Sequence, residues 1–274
     1  MTLCAPDFEF ICRVVRDEAA IVLEPGKEYL AENRLQPVAR RLGYDDLGAL
    51  VAVLRRGDRA LTGEVVDALT TNETSFFRDG HPWDSLREEL LPDLFHRRRF
   101  TRTLNVWFGA ASSGQEPYTF AMLLDQHFRD ELDTYDIRLI GTDISPSMLE
   151  RCRSGRYSQI EVNRGLPAAL LLEYFHRDGM SFVVADRLRD RFRFELLNLA
   201  APHTWDWLPS FDLVFLRNVL IYFDVETKAR ILGHVRKHLA DDGTLLLGGA
   251  ETVINVTDAF APVQVGASTF YRPT

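Results

Sequence analysis

The residues best suited to chemistry lie between positions 72 and 222. Gly109-Ala110-Ala111-Ser112-Ser113-Gly114-Gln115-Glu116 follows a short apolar run, and its small residues let the main chain approach a ligand closely before a helix begins. Its glycines are five apart and do not match G-x-G-x-x-G, which disfavours a pyrophosphate-gripping loop and with it NAD or FAD; a plain strand-to-helix turn has the same composition. Asp143 closes the next apolar run. An acid there accepts both hydroxyl hydrogens of a ribose, or else caps the following helix, a task for which Ser145-Pro146 is already suited. Glu116 opens a helix, where a carboxylate is stabilised and can pair with an ammonium group, although helix starts favour acids in any case. Arg78 offers a planar, permanently charged fork to a carboxylate, or an ordinary surface pair with Asp79 or Glu73. Arg217 and Asn218 end a third apolar run, where polar groups must find partners or a ligand. A ribose-binding acid without a pyrophosphate grip suits a nucleoside cofactor such as S-adenosylmethionine.

These groups need a scaffold, and its pattern is α/β. Residues 103–108, 136–142, 211–216 and 244–247 read as strands, alternating with helical segments, which predicts a parallel sheet covered on both faces. The Asp242-Gly243 pair reads as the turn before the last of them. Residues 263–265 and 269–271 read as a closing antiparallel pair. The alternation breaks at 155–197, where a helix around 166–175 and strand-like residues 181–184 and 192–196, the second of which could rejoin the main sheet, suggest a small inserted subdomain. Residues 1–70 are helical instead: Leu47, Leu50, Val51 and Leu54 repeat at i, i+3, i+4, i+7, with Gly26, Gly43 and Gly57 as breaks. His234 and His238 stand one turn apart with Arg236 and Lys237 between them, a pattern expected of a solvated helix face and not of a zinc site.

Composition narrows the function classes. The chain has 274 residues, 46% hydrophobic and 26% charged, which excludes wholesale disorder. Its net charge of −8 disfavours a nucleic-acid partner. Cys4, Cys12 and Cys152 form no CxxC pair, as expected of reduced thiols in a cytoplasmic protein. The N-terminus lacks a signal-peptide pattern, and no apolar run is long enough for a membrane span. Six arginines (34, 40, 41, 55, 56, 59) face only Asp45, Asp46 and Asp58 in the same stretch, a basic face suited to an acidic partner or simply to solvent.

Asn72-Glu73-Thr74-Ser75-Phe76-Phe77-Arg78, the Trp107–Tyr118 segment and Arg217-Asn218-Val219-Leu220-Ile221-Tyr222-Phe223 together resemble the chemotaxis-receptor glutamate methyltransferases of the CheR type, in order along nearly the whole chain. The resemblance implies an all-α N-terminal domain (1–70), a linker with a cofactor-contacting segment (71–100), and a Rossmann-like class I methyltransferase domain (101–274) carrying an inserted β-subdomain (155–197). It implies that Asn72, Thr74 and Arg78 line the cofactor pocket, that Glu116 holds the ammonium group, Asp143 the ribose, and Asn198 with Leu199 the adenine. Arg217 and Asn218 are placed near the sulfonium, and Arg78 and Tyr222 near the methyl transfer; apart from the family, Tyr222 reads as a buried ring with a satisfied hydroxyl. S-adenosylmethionine becomes S-adenosylhomocysteine, no metal is needed, and the acceptors are the methylation helices of chemoreceptors, met in the cytoplasm by a monomer. Departures are Ala111, Gln115 and Gly249-Ala250-Glu251, none a side chain assigned to chemistry. The short stretch at 176–181 points to an enzyme independent of a receptor pentapeptide tail. The competing readings are a non-catalytic adaptor that senses the cofactor, and a methyltransferase for another substrate, against which stand the charge and the lack of N-P-P-Y after Leu216.

Overall fold

Apolar residues at helical spacing in the first seventy positions fall on four helices, α1 (Ala5–Ala19), α2 (Glu28–Arg41), α3 (Leu47–Leu54) and α4 (Arg59–Leu69). Asp46 and Asp58 start α3 and α4, accepting the Ala49 and Leu61 amides at 2.9 and 3.0 Å. Ile11, Val15, Leu35, Leu50 and Val65 are fully buried in the shared core. This computed structural model describes residues 3–24, 26–201, 203 and 205–274. The chain divides into two units, one running to Thr71 and including Tyr222–Thr227, the other comprising Asn72–Ile221 and Lys228–Thr274.

The basic face of the helical unit is smaller than its composition suggests. Arg34 donates to the Leu69 and Thr70 carbonyls at 2.8 and 2.9 Å, Arg41 pairs with Glu64 at 2.5 Å, and Arg55 with Asp7 at 2.9 Å. Arg40, Arg56 and Arg59 remain without an ion pair among the described residues.

The larger unit begins with α5 (His81–Ser85), a π-helical turn at Leu86–Leu90 and α6 (Leu91–Arg97). Then come β1 (Thr103–Phe108), α7 (Gln115–His127), α8 (Arg129–Thr134), β2 (Asp136–Asp143) and α9 (Pro146–Ser154). The insert follows, with β3 (Arg156–Ser158), α10 (Gln159–Val162), α11 (Ala168–Tyr174), β4 (Phe175–Asp178), β5 (Ser181–Val184) and α12 (Asp186–Arg189). The chain closes with β6 (Phe192–Leu196), β7 (Phe211–Leu216), α13 (Val225–His238), β8 (Leu239–Leu247), β9 (Phe260–Val265) and β10 (Ser268–Pro273). Seven strands form one sheet in the order β6-β2-β1-β7-β8-β10-β9. The first five are mutually parallel, and β10 runs antiparallel to both β8 and β9. Strand order reverses between β1 and β7, so a ligand crevice is expected outside their carboxyl ends.

β7 is buried at every position, as a doubly covered strand must be. Its one acid, Asp212, is partnered: it accepts from Arg98 Nε at 2.6 Å and from the Asn105 amide at 2.7 Å. Arg98 also grips Asp242, whose carboxyl its hydrogen bond holds well below the usual range. Asp242-Gly243 is therefore not a free turn before a strand. It lies inside β8, where pairing with β7 jumps from Phe211↔Leu239 to Leu213↔Thr244 and the surplus residues bulge.

Two further expectations change, at residues 175–178 and at His234 and His238, while residues 192–196 keep one of the places open to them. Residues 175–178, read as a helix end and loop, form β4, so the insert is a three-stranded antiparallel sheet in the order β3-β5-β4. Residues 192–196 rejoin the main sheet, as the second strand-like run could, pairing in parallel with β2, Leu196 opposite Asp143. His234 and His238 do not form a solvated face: both rings lie against the indole of Trp205, at 5.4 and 6.0 Å, and burial lowers the His234 pKa.

Candidate functional site

The turn after β1 is held from both sides. Gly109 N donates to Phe215 O at 2.8 Å and Ala111 N to Thr142 O at 2.8 Å, fastening it across β7 and β2. From below, Cys152 Sγ donates to Ser112 O at 3.1 Å and Tyr157 Oη to Ser113 O at 2.7 Å. Gly114 (φ +94°) has no room for a side chain, since a Cβ there would stand 2.9 Å from the Tyr157 hydroxyl. Burial pushes the Cys152 thiol and the Tyr157 phenol well up, so both stay protonated and act as donors.

Asp143 sits at the end of β2, 6% exposed. Its Oδ2 accepts the Ser112 amide at 2.8 Å and its Oδ1 the Ser145 amide at 2.9 Å, which fixes the plane of the carboxylate. The cap of α9 is Ser145, whose hydroxyl accepts the Met148 amide at 3.1 Å, so Asp143 does not serve in that role. Leu197 N donates to Asp143 O at 3.0 Å, which brings Asn198 and buried Leu199 alongside. Asn198 Oδ1 accepts the Ala200 amide at 2.9 Å.

Residues 72–78 join this edge within the same unit. The Asn72 carbonyl accepts from Ser112 Oγ at 2.9 Å, and Phe77 N donates to Thr119 Oγ1 at 3.1 Å. Phe76 is fully buried, edge-on to Tyr157 and Phe175 at 5.1 and 5.7 Å. Thr74 is half-buried and makes no hydrogen bond among the described residues. Arg78 Nη1 donates to the Glu73 carbonyl at 2.9 Å, so its guanidinium is in neither of the two surface ion pairs that the sequence offers.

Those acids are taken elsewhere: Glu73 pairs with Arg164 at 2.8 Å, and Asp79 with Arg217. Arg217 is the electrostatic hub, its side chain 1% exposed between Asp79 (2.6 Å) and Glu116 (2.5 Å), with its Nε unpartnered among the described residues. Its guanidinium lies 5.9 Å from the centre of the Trp83 ring. Burial raises the Glu116 pKa, against the opposing pull of Arg217. Only Glu116 Oε2 is engaged; Oε1 makes no hydrogen bond among the described residues. Asn218, at φ +57°, likewise has no side-chain hydrogen bond among them.

Two residues that sequence reasoning passed over belong to this edge. Asp79 adopts φ +68°, and Glu251 accepts main-chain amides from both the β7 and the β8 ends. Glu251 entered the sequence reading only as the last residue of Gly249-Ala250-Glu251, past an apolar strand, with no role attached. Tyr222 groups with the helical unit, where its carbonyl accepts Val22 N at 3.2 Å; its hydroxyl makes no hydrogen bond among the described residues.

Two stretches of this chain match known domain families: the CheR methyltransferase SAM-binding domain covers residues 72–268, and the CheR methyltransferase all-alpha domain covers residues 6–70. The chain belongs to the CheR methyltransferase family. Chemotaxis protein methyltransferase 1 of Pseudomonas aeruginosa is 36% identical to it, over 99% of either chain. Chemotaxis protein methyltransferase Cher2 of Pseudomonas putida is 35% identical over 97% of each. Chemotaxis protein methyltransferase 1 of Vibrio cholerae is 34% identical over 99% of this chain and 98% of that one. As a CheR protein it combines an all-α domain with a Rossmann-like class I methyltransferase domain, and its cofactor is S-adenosylmethionine. The donor set fits that cofactor. Asp79, Glu116, Asp143 and Glu251 outnumber Arg78 and Arg217 along this edge, a balance that favours a cation, and Glu116 Oε1 is an acceptor with no hydrogen bond among the described residues. No helix among the described residues is long and apolar enough to cross a membrane.

Proposed function

We propose that this protein transfers the methyl group of S-adenosylmethionine to glutamate side chains in the cytoplasmic methylation helices of chemoreceptors, giving glutamate methyl esters. The observation that carries the site reading is the Glu116 carboxylate, held by buried Arg217 through one oxygen, with Arg78 contributing a second positive field. Glu116 then takes the cofactor's ammonium and Arg78 its carboxylate, while Asp143 takes the ribose hydroxyls. Asn198 and Leu199 flank the adenine, and Asn72, Thr74, Arg217 and Asn218 complete the wall. Assignment of Tyr222 beside Arg78 in the transfer step rests on the R-N-V-x-I-Y-F match. The receptor as acceptor is supported by the names of the relatives.

Bound cofactor supplies an electrophilic methyl on a sulfonium. A glutamate with a pKa of about 4.3 is already a carboxylate at neutral pH, so the protein's residues have no proton to remove. Their work is to align and desolvate the nucleophile, which in favourable cases contributes on the order of 7–11 kcal/mol. Incubation with methyl-labelled cofactor and receptor membranes is expected to give label that leaves as methanol in base. Base-stable label would move the assignment to nitrogen or nucleic-acid methylation, and no label in the presence of cofactor binding would favour an adaptor.

Docking on a receptor pentapeptide tail is not needed in this reading. The β4–β5 connection is a tight turn at Gly179 (φ +61°) and Met180, with no longer loop to frame a peptide. Calorimetry with a peptide of the receptor's last five residues should show no binding at micromolar concentrations; a micromolar dissociation constant would reverse the conclusion.

A further inference from the structure

The segment that follows β7 has to leave a fully buried strand and present Arg217 and Asn218 at the sheet edge. Its path is irregular: Asn218 has φ +57°, and a short 3-10 turn begins at Leu220. A free loop of this shape relaxes, so something must hold its main-chain donors.

That group is Glu251. Its Oε2 accepts the amides of Asn218 at 2.7 Å and Gly248 at 2.7 Å; its Oε1 accepts those of Leu220 at 2.7 Å and Ile221 at 3.3 Å. One carboxylate thus gathers four main-chain donors from the ends of two neighbouring parallel strands. Geometry leaves little slack. Gly248 has no room for a side chain: a Cβ there would stand 2.6 Å from Asn218 Nδ2 and 2.8 Å from Glu251 Oε2. Glu251 N in turn donates to Gly248 O at 2.9 Å, closing the turn that carries the carboxylate. Arg217, the residue just before this clamp, is the partner of Glu116.

We infer that Glu251 is a positioning residue for methyl transfer: its carboxylate sets the backbone at 218–221 and so fixes where Arg217 and Asn218 stand relative to the cofactor. It touches no reacting atom. The inference rests on the cofactor reading of this edge and is separable from it.

Glu251→Gln tests it at nearly constant volume, because an amide keeps one acceptor oxygen and turns a donor toward amides that are themselves donors. The variant is expected to bind S-adenosylhomocysteine about tenfold more weakly, the equivalent of one charge-assisted hydrogen bond. Its kcat is expected to fall beyond the change in KM for the cofactor, and Glu251→Asp, which keeps the charge, to recover part of both. Glutamine at wild-type affinity and kcat would overturn the inference. A wild-type protein that fails to bind S-adenosylhomocysteine at all would overturn the cofactor reading instead. If Glu251→Gln does not fold, hydrogen exchange in the wild type still decides: the amides of Asn218, Leu220 and Gly248 should be strongly protected, and exchange at the rate of open chain at all three would overturn the clamp.

Discussion

Asp143→Ala is expected to weaken S-adenosylhomocysteine binding by at least about a hundredfold, measured by calorimetry on protein whose melting curve shows it folded. Two losses combine. In the proposed site the ribose hydroxyls lose their carboxylate acceptor, and hydrogen bonds to charged groups contribute about 1.5–3 kcal/mol each. The Ser112 and Ser145 amides lose theirs as well, at 2.8 and 2.9 Å, so the turn after β1 loosens on the side that faces the ligand. Since about 1.4 kcal/mol is a factor of ten, even the low end of the two hydroxyl bonds reaches the stated loss. Asp143→Asn keeps one carbonyl oxygen and should fall between alanine and the wild type. If alanine binds as tightly as aspartate, the ribose assignment is wrong, whatever becomes of the rest of the site.

Arg217→Met is expected to have the largest effect on stability, on the order of 3–5 kcal/mol in chemical denaturation. The reason is less the loss of attraction than the charges left behind. Arg217 is 1% exposed and its partner Glu116 is 12% exposed, so an unpaired carboxylate there has little water to turn to. Asp79, 37% exposed, contributes less because solvent screens it. Burial already raises the Glu116 pKa, and without Arg217 it rises further. A carboxyl whose folded pKa lies above its unfolded value loses stability as pH climbs through the folded pKa, so the deficit of the variant should be larger at about pH 8 than at about pH 5. Adding Glu116→Gln should return part of the lost stability. Equal deficits for the single and double variants, at both pH values, would show that the pair is not coupled as described.

The parts of this fold that can be read from sequence are those whose environment is uniform along the chain. Residues 211–216 are apolar but for Asp212 because both faces of β7 are covered, and that pattern locates the strand to the residue. The helical unit is legible for the converse reason, with a single apolar stripe on each helix. Legibility fails where a distant residue supplies the environment. Asp242-Gly243 has the composition of a turn, and only the grip of Arg97 and Arg98 and the shifted register draw it into β8. His234 and His238 look solvated until Trp205 is seen to cover them. At the site, Asp143 and Glu116 are visible because their side chains stand at strand and helix ends, where such residues have a recognisable place. Glu251 is not, because it works on main-chain amides, which leave no mark in residue type. The engagement of Arg217 by Asp79 was also hidden, since sequence adjacency suggested Arg78 as the partner of that acid.

Tyr157 gives the insert a significance that its small size conceals. The tyrosine belongs to β3 of the three-stranded sheet, yet its hydroxyl supports Ser113 in the turn after β1, and its ring braces Phe76. The insert is therefore no detachable cassette. Grafting it from one relative onto another would transplant a strut of the ligand crevice along with whatever outward-facing recognition it carries, so any exchange of that module must preserve the phenol or supply another prop in its place.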